Sequence, residues 1–398
     1  MDDHILDKKE KILLRTDSNQ KILQIAHGKV IPDYSSAYSL RCHTLIKNLD
    51  RKLISTAGAI FKDEKFGYSE QYRSILLTGL SFIRGNRSME IYISRGKYLR
   101  KKYLQRMKKL AESSDIIIFE GPWQYPLVKN ILTNKLIIYD AHNVEYSLRA
   151  GNKYQEDCKN IEGDLLSRSD IVFSVTKKDI EKFIELYEVN KGKIFFAPHE
   201  ITLSTNEWKG QDSNSIVFIG SVYSPNNIAL NHIVKLANQY PQFTFEIIGS
   251  AKPKNGSKLR NLVYHGIVDN LRKDEIMSKC FLALNPVTEG SGRNLKMIDY
   301  IAHGLPIIST PIGVRGFEDY NIKDSIIVSD IDHFGMNIEK LAKDREKVKE
   351  MSKNSRILYE DISKTENTID PDDIIMQAYH NFKNLQSKTQ TNTENKTT

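Results

Sequence analysis

The chain has 398 residues, of which 40% are apolar and 27% are charged, a composition typical of a soluble globular protein with room for two domains. No apolar run approaches the ~18–20 residues of a membrane-spanning helix, and the acidic, polar N-terminus does not resemble a signal peptide. Three widely separated cysteines, Cys42, Cys158 and Cys280, show no metal-ligand spacing. We therefore expect reduced, buried thiols in a cytoplasmic protein.

The net charge of +8 belongs wholly to the first half of the chain. Residues 1–200 contain 34 Lys and Arg against 26 Asp and Glu, whereas residues 201–398 are balanced. A basic half predicts an anionic partner or an anionic surface. A nucleic-acid-binding protein is one alternative, but no stacking or groove-reading motif accompanies the charge, so we expect no nucleic-acid partner.

The first half begins like a doubly wound α/β sheet. Residues 1–20 are polar and are expected to form a loose extension. Strands are predicted at residues 21–26 and 52–57, with a helix at residues 40–49 between them. The loop after the first strand contains Ser35 and Ser36, which would face a ligand or cap the helix. For residues 60–93, length and composition do not decide between helix and strand.

A basic segment runs from Arg95 to Lys109 without an acidic residue. Apolar and aromatic residues recur in it with roughly helical period. This pattern is typical of an amphipathic helix on an anionic membrane surface, or of one that meets a polyanionic acceptor. The alternative is an ordinary surface helix whose apolar face packs in the core.

Two predicted strands of the first half end in polar or aromatic side chains. The strand at residues 114–119 is followed by Glu120 and Trp123, and the strand that starts at Lys135 is followed by His142. Ligands of α/β sheets bind outside the carboxyl ends of the strands. We therefore expect Glu120 and Trp123 at a ligand site, while His142 is either a ligand-contacting residue or a structural histidine.

A second βαβ series follows a polar stretch at residues 199–214, where we place a hinge. Its first strand, residues 215–219, leads into Gly220 and Ser221, which offer backbone and hydroxyl donors. Helices are expected over residues 333–383, and the low-complexity tail is expected to be disordered. The predicted segments are an extension (1–20), an N-terminal domain (21–200), a C-terminal domain (201–383) and a disordered tail (384–398).

The most informative stretch is residues 289–310, which predicts a glycine loop, a helix and a strand. Gly290 and Gly292 allow the main chain to approach a ligand closely. The helix is expected from about Asn294 to Ala302, with Gly304 in the position of a C-cap glycine. An N-terminus of this kind presents unpaired N–H groups and a partial positive charge, so it suits a phosphate.

Charged side chains around this helix extend the prediction. Lys296 lies in the first turn, where it would add a full charge beside a phosphate. Asp299 lies ~4.5 Å further along the axis and would accept hydrogen bonds from a ribose. Glu289, on the loop, would accept from hydroxyls of a second sugar. This order describes a nucleotide-sugar, although a glycine loop before a helix is common in α/β proteins and a helical lysine is often simply solvated.

The residues Gly290-x-Gly292-x-x-Leu295-Lys296-x-x-Asp299, with Ala302-x-Gly304-x-Pro306, resemble the donor-binding motif of family 4 (group 1) retaining glycosyltransferases of GT-B architecture. The segment after residue 135, with Asp140-x-His142-Asn-x-Glu145, is similar to another motif of that family. Asp299 stands where the family has Glu. Nine residues separate Glu289 from Asp299, where the commoner family form has seven between two Glu residues.

The resemblance implies an α/β fold with two doubly wound Rossmann-like domains facing a central cleft. It implies that His142 contacts the donor sugar, that Lys296 contacts the diphosphate, that Asp299 binds the ribose and that His265 lies on a loop against the base. The catalytic candidates are His142, Lys296 and Glu289. The expected donor-binding residues are Gly220, Ser221, His265, Gly290, Ser291, Gly292, Arg293, Asn294, Lys296 and Asp299, and the residues expected on the acceptor side are Ser35, Ser36, Glu120 and Trp123.

The implied function is metal-independent, retaining transfer of a sugar from a nucleotide-diphosphate sugar to a glycan or a lipid-linked anionic acceptor. The nucleotide-sugar is a substrate, and no cofactor or metal is expected. The setting would be cell-surface polysaccharide synthesis in the cytoplasm, with the protein at an anionic membrane surface. A nucleotide-sugar 2-epimerase of the same architecture and a degenerate nucleotide-binding protein are the alternatives.

Overall fold

The computed structural model describes residues 20–31, 37–58, 62–84, 89–199, 207–222, 224–252, 259–290, 293–366 and 369–394. The chain divides into two compact units. The first contains the residues up to 198 together with those from 369 onward, and the second contains residues 199–368. The predicted extension lies almost wholly outside the described residues, as do residues 200–206 of the predicted hinge.

The first unit is built on an eight-stranded sheet in the order β3-β4-β2-β1-β5-β6-β7-β8. All neighbours are parallel except β3, which pairs antiparallel with β4. The order reverses at β1, as in a doubly wound sheet. The strands are β1 (Ile22–His27), β2 (Arg51–Gly58), β3 (Glu64–Phe66), β4 (Ser69–Ser74), β5 (Ile116–Phe119), β6 (Leu136–Ala141), β7 (Ile171–Ser174) and β8 (Ile194–Phe196).

Helices connect these strands. They are α1 (Ala37–Thr44), α2 (Ile75–Arg84), α3 (Met89–Ser94), α4 (Lys101–Glu112), α5 (Tyr125–Val128), α6 (Glu145–Leu148), α7 (Gln155–Arg168) and α8 (Lys177–Tyr187). The uninterrupted apolar runs of β5 and β6 are buried along their whole length, as central parallel strands require. The described residues of the ambiguous range 60–93, which are 62–84 and 89–93, form an edge hairpin followed by two helices. The predicted helix at 40–49 begins and ends earlier, and the basic segment becomes helical only at Lys101.

The second unit is built on a six-stranded, wholly parallel sheet in the order β11-β10-β9-β12-β13-β14. Its strands are β9 (Ser215–Ile219), β10 (Thr244–Ile248), β11 (Leu262–Gly266), β12 (Leu282–Asn285), β13 (Ile307–Ser309) and β14 (Ile326–Val328). Its helices are α9 (Ser224–Gln239), α10 (Asn270–Lys279), α11 (Leu295–Ala302), α12 (Phe334–Lys343) and α13 (Arg345–Glu366). The predicted pair of Rossmann-like sheets is confirmed.

The last helix, α14 (Pro371–Glu394), returns to the first unit. Ile375 and Met376 are buried with strand residues of β5 and β6, and the Asp372 carboxylate accepts the backbone N–H groups of Lys47 and Asn48. Two predictions are therefore wrong: not all helices after residue 333 belong to the second domain, and residues 384–394 are helical. The polar tail continues a helix whose first turns are packed; residues 395–398 lie outside the description.

Within the described residues, no helix is both long and apolar enough to cross a membrane. The three cysteines are free thiols, and all three are buried, as the sequence predicts. The apolar side chains of α4, Tyr103 and Met107, belong to the core of the first unit. The apolar face of the basic segment therefore packs in the core, as the second interpretation predicts, and its lysines face solvent.

Candidate functional site

The glycine loop of the second unit lies between β12 and α11, at the carboxyl end of its strand. Gly290 has φ +128°, a conformation that favours glycine, and a Cβ atom there would lie 3.3 Å from Arg315 Nη2. The backbone N–H of Asn294 donates to the Arg315 carbonyl at 3.4 Å. The Arg315 side chain therefore lies close to Gly290, and its carbonyl bonds the residue before α11. Ser291 and Gly292 lie outside the described residues.

Lys296 is the charged centre of this site. Its Nζ donates to Asn226 Oδ1 at 2.6 Å and lies 4.6 Å from the centroid of the Phe218 ring. Burial, and then the nearby Arg315 charge, lower the Lys296 pKa to about 7. Two cationic side chains thus approach the glycine loop beside the N-terminus of α11. A group that brings negative charge there would relieve their mutual repulsion.

Asn226 links Lys296 to the loop after β9. Its Nδ2 donates to the Ser221 carbonyl at 3.2 Å and lies 3.3 Å from Ser221 Oγ. Gly220 is pressed against the next loop, because a Cβ atom at Gly249 would lie 2.3 Å from the Gly220 carbonyl oxygen. The structure therefore brings together the predicted residues Gly220, Ser221 and Lys296. Asn226 was missed as a site residue; its one signal was a polar side chain at a helix start.

Asp299 lies one helical turn beyond Lys296. Its Oδ1 accepts a hydrogen bond from Lys273 Nζ at 2.7 Å, and the carboxylate side chain is 37% exposed. Lys273 belongs to α10, so this ion pair joins two neighbouring helices at the edge of the site. The exposed carboxylate has room to accept from a further donor. Glu289 is half-buried on the glycine loop.

Two predicted donor-binding residues have other partners. His265 lies near the end of strand β11 and not on the predicted loop, and its Nε2 lies 2.6 Å from Glu246 Oε2. Its contact with the base stays a prediction. Arg293 follows the glycine loop but turns into the core of the second unit. Its Nη1 donates to Glu366 Oε2 at 2.7 Å, and its guanidinium stacks on Phe317. The Arg293 charge therefore holds the loop to the end of α13.

The first unit gathers polar side chains at the carboxyl ends of β1, β5 and β6. His142 Nε2 lies 2.8 Å from Glu120 Oε2 and 3.4 Å from Asp140 Oδ2. The His142 side chain is 11% exposed, while both carboxylates are fully buried. Glu120 and His142, which follow β5 and β6, are therefore direct neighbours.

Arg41 neutralises one of the two carboxylates. Its Nε and Nη2 bind the two oxygens of Asp140 at 2.8 and 2.7 Å, and Nη1 donates to the Pro198 carbonyl. Burial raises the Asp140 pKa, but the Arg41 guanidinium outweighs burial, so the net pKa lies below the usual range. Sequence reasoning missed Arg41, which shows no local pattern beyond a charge in an otherwise ordinary helix.

Tyr38 and His27 complete this cluster. The Tyr38 hydroxyl donates to the Glu120 carbonyl at 3.0 Å and lies 3.0 Å from His27 Nδ1, and its ring centroid lies 4.8 Å from that of His142. Burial, then the charges of His142 and Arg149, lower the His27 pKa to about 3. His27 is therefore a neutral, structural histidine.

Trp123 does not serve the predicted acceptor side. Its side chain is fully buried beneath the Arg149 guanidinium, which lies 4.5 Å from the ring. Glu120 is equally buried, and its carboxylate contacts Gln24, Cys42 and His142. Ser35 and Ser36, the other predicted acceptor-side residues, lie outside the described residues.

One group among the described residues has metal-ligand geometry: Cys42, Glu120 and His142 place their ligand atoms within 4.8 Å of one another. Burial, then the Glu120 carboxylate, raise the Cys42 pKa well above its usual range, so the sulfur remains a thiol. Cys42 Sγ lies 3.5 Å from Glu120 Oε2, and the same oxygen is engaged by His142. These contacts satisfy the group as a hydrogen-bonded cluster.

Comparison with known proteins identifies the fold as GT-B. Residues 213–344 match the sequence model of the family described as Glycosyl transferases group 1. HepE of Anabaena, solved with UDP-glucose, is 9% identical with a TM-score of 0.61 and covers 93% of this chain and 100% of its own. WaaG, described as a glycosyltransferase involved in lipopolysaccharide biosynthesis, is 12% identical with a TM-score of 0.58 and covers 85% of this chain and 95% of its own.

The matched residues 213–344 lie within the second unit and include Lys296 and Asp299, so the resemblance to group 1 glycosyltransferases is confirmed there. Among curated proteins, an uncharacterized 44.6 kDa protein in the cps region of Klebsiella pneumoniae is 24% identical over 278 residues. The match covers 62% of this chain and 70% of the Klebsiella protein.

Proposed function

We propose that the protein is a glycosyltransferase that uses a nucleotide-diphosphate sugar as donor. The observation that carries this proposal is the proximity of two positive charges, Lys296 and Arg315, beside the glycine loop and the N-terminus of α11. Two cations and a helix N-terminus favour a group with more than one negative charge, such as a diphosphate. The family match over the same residues and the UDP-glucose complex of HepE support a nucleotide-sugar as the ligand.

The proposed chemistry uses the same groups. The bond between the anomeric carbon and the diphosphate breaks, the acceptor hydroxyl forms the new bond, and its proton leaves with the diphosphate. Charge grows on the leaving phosphate oxygens, where Lys296 and the helix N-terminus stabilise it. We propose that this replaces a metal ion and that the transfer retains configuration. Asp299 would hold the ribose, and Glu289 would hold hydroxyls of the sugar.

We propose synthesis of a cell-surface polysaccharide or glycoconjugate as the setting. The similar protein in the cps region of Klebsiella pneumoniae and the lipopolysaccharide role stated for WaaG support it. The acceptor would then be a glycan or a lipid-linked anionic molecule, and the protein would work in the cytoplasm at an anionic membrane surface.

Turnover distinguishes the proposal from its two alternatives. UDP-, GDP- and ADP-sugars are incubated with the protein, with and without polysaccharide or lipid-phosphate acceptors, and both nucleotide and sugar are followed. A transferase releases nucleoside diphosphate faster with one acceptor and moves the sugar onto it. Release of a free epimer without acceptor identifies an epimerase instead, and binding without turnover of any donor identifies a degenerate protein.

The lysine face of α4 supports the membrane part of the proposal. Lys101, Lys102, Lys108 and Lys109 are exposed on one helix. Because the apolar face of α4 is buried, we expect attraction to a charged surface rather than insertion. Each lysine near an anionic bilayer contributes ~1 kcal/mol, so reversing all four charges to Glu should abolish sedimentation with phosphatidylglycerol vesicles at low salt.

The matched control reverses four exposed lysines of the second unit, Lys343, Lys347, Lys349 and Lys353. This control has the same net charge change and should still bind the vesicles. The wild type and both reversed variants should not bind neutral phosphatidylcholine vesicles. Equal loss of binding in both reversed variants would count against the α4 surface.

A further inference from the structure

His142 has two ring nitrogens in different surroundings. Nε2 faces two buried carboxylates, Glu120 at 2.8 Å and Asp140 at 3.4 Å. Within the described part of the chain, Nδ1 makes no hydrogen bond. A hydrogen bond at one ring nitrogen fixes the orientation of the imidazole. It also decides whether the other nitrogen is a hydrogen-bond donor or an acceptor.

Glu120 is itself held rigidly. Gln24 Nε2 donates to its Oε1 at 2.5 Å, and Arg51 Nε donates to Gln24 Oε1 at 2.8 Å. Cys42 Sγ lies 3.5 Å from Oε2, the oxygen that faces His142. The carboxylate is fully buried, so its rotamer is set by these contacts and not by solvent.

Asp140 is a poorer partner for His142 because Arg41 engages both of its oxygens. Its distance to Nε2 is also 0.6 Å longer than that of Glu120. Of the two carboxylates, Glu120 is therefore the one that directs the imidazole. The arrangement resembles the carboxylate–imidazole pairs by which proteins fix a histidine tautomer.

We propose that Glu120 is the positioning residue of His142: it accepts the Nε2–H, holds the ring in one orientation and leaves Nδ1 to accept a hydrogen bond from a sugar hydroxyl. Only the contact of Nδ1 with a sugar hydroxyl rests on the proposed function. The tautomer and the orientation belong to the free protein and are measurable without a substrate.

The competing arrangement places the proton on the carboxyl group. Burial, then the Asp140 charge, raise the Glu120 pKa. A protonated Glu120 would donate to Nε2, and the neutral imidazole would then carry its proton on Nδ1. This arrangement offers a donor instead of an acceptor to the sugar, so the two predict different spectra.

Two-bond ¹H–¹⁵N spectra of protein labelled at histidine separate a protonated ring nitrogen from an unprotonated one. His142→Ala assigns the signals. We expect a protonated Nε2 in the wild type. Glu120→Gln should keep it in part, because its single amide oxygen must serve both the Gln24 and the His142 donors, whereas Glu120→Ala should give a mixture of tautomers. A wild-type ring with an unprotonated Nε2, or unchanged spectra in Glu120→Ala, would overturn the proposal.

The control for loss of a buried carboxylate is Glu70→Gln. Glu70 is 7% exposed and bonds Arg106 and Tyr72, away from His142. The His142 signals of the Glu70→Gln variant should match those of the wild type. For turnover, Glu120→Ala should lower kcat at least ~10-fold, the range for a lost charge-assisted contact, with Glu120→Gln in between.

The spectra also separate this proposal from the proposed function. If the wild type shows the expected tautomer but no donor is turned over, the proposed function fails and the positioning of His142 stands. If donors are turned over and Glu120→Ala retains full kcat, the positioning role in catalysis fails and the transferase proposal stands.

Discussion

Replacing Lys296 by Ala should weaken binding of a nucleoside diphosphate by roughly 10- to 100-fold, as expected for a lost charge-assisted contact worth ~1.5–3 kcal/mol. Lys296 Nζ is held by Asn226 at the helix N-terminus, so the charge is placed before the ligand arrives. Calorimetric titration with UDP, GDP and ADP measures the loss. The matched control is Lys279→Ala, an exposed helical lysine of the same unit that pairs with Glu275.

The affinity should also depend on pH in a way that belongs to Lys296. Its pKa in the free protein is about 7, so above pH 7 the amine is largely neutral. A bound diphosphate favours the ammonium form, and binding must then take up a proton. Affinity should therefore fall as pH rises from 7 to 9, and heats measured in two buffers should report proton uptake. Lys296→Ala should lose this pH dependence, and a dependence that persists would point to another group.

Removing Arg41 should be the most damaging single change to the stability of the first unit. Arg41 and Asp140 are 2% and 0% exposed and form a two-bond ion pair. Arg41→Met leaves a buried carboxylate without its partner, which costs about 3–5 kcal/mol. Urea unfolding measures the loss. Arg41→Met combined with Asp140→Asn should recover part of it, because the uncompensated charge is gone.

The sign of the pH effect follows from the Asp140 pKa, which is lower in the folded protein than in the unfolded chain. Its contribution is present above the unfolded pKa and is lost as pH falls through the folded one. In Arg41→Met this contribution should disappear, so the gap to the wild type should narrow in acid. The control, Lys129→Ala, breaks an exposed pair with Asp164 and should cost at most ~1 kcal/mol. Equal losses in both variants would contradict the account.

The sheets were the part of the fold most readable from sequence. Buried parallel strands such as β5 and β6 are short apolar runs with polar residues immediately after them, and that pattern is local. The glycine loop and the C-cap at Gly304, with φ +67°, were readable for the same reason. Each depends on a few consecutive residues.

Long-range pairs were not readable in this way. Asn226 and Lys296 are 70 residues apart, and Arg41 and Asp140 are 99 apart. No periodicity connects such residues, so their partnership emerges only when the strands align. Arg293 illustrates the reverse case: its position beside the loop suggested a ligand, but Glu366 directs its side chain into the core.

The C-terminal helix was misjudged because its sequence changes character along its length. Ile375 and Met376 pack against the first unit, and the polar residues that follow continue the same helix. The composition of the tail does not reveal the contacts that the first turns of its helix make with the first unit. The carboxylate of Asp372, 324 residues from Asn48, provides that anchor.

The most direct test of the account is a calorimetric titration of UDP, GDP and ADP into the wild type, Lys296→Ala and Lys279→Ala. The account predicts that one nucleotide binds the wild type and Lys279→Ala alike, with proton uptake above pH 7, and that Lys296→Ala binds it roughly 10- to 100-fold more weakly. Binding of equal strength to Lys296→Ala, or no binding of any nucleotide to the wild type, would contradict a donor site at the glycine loop.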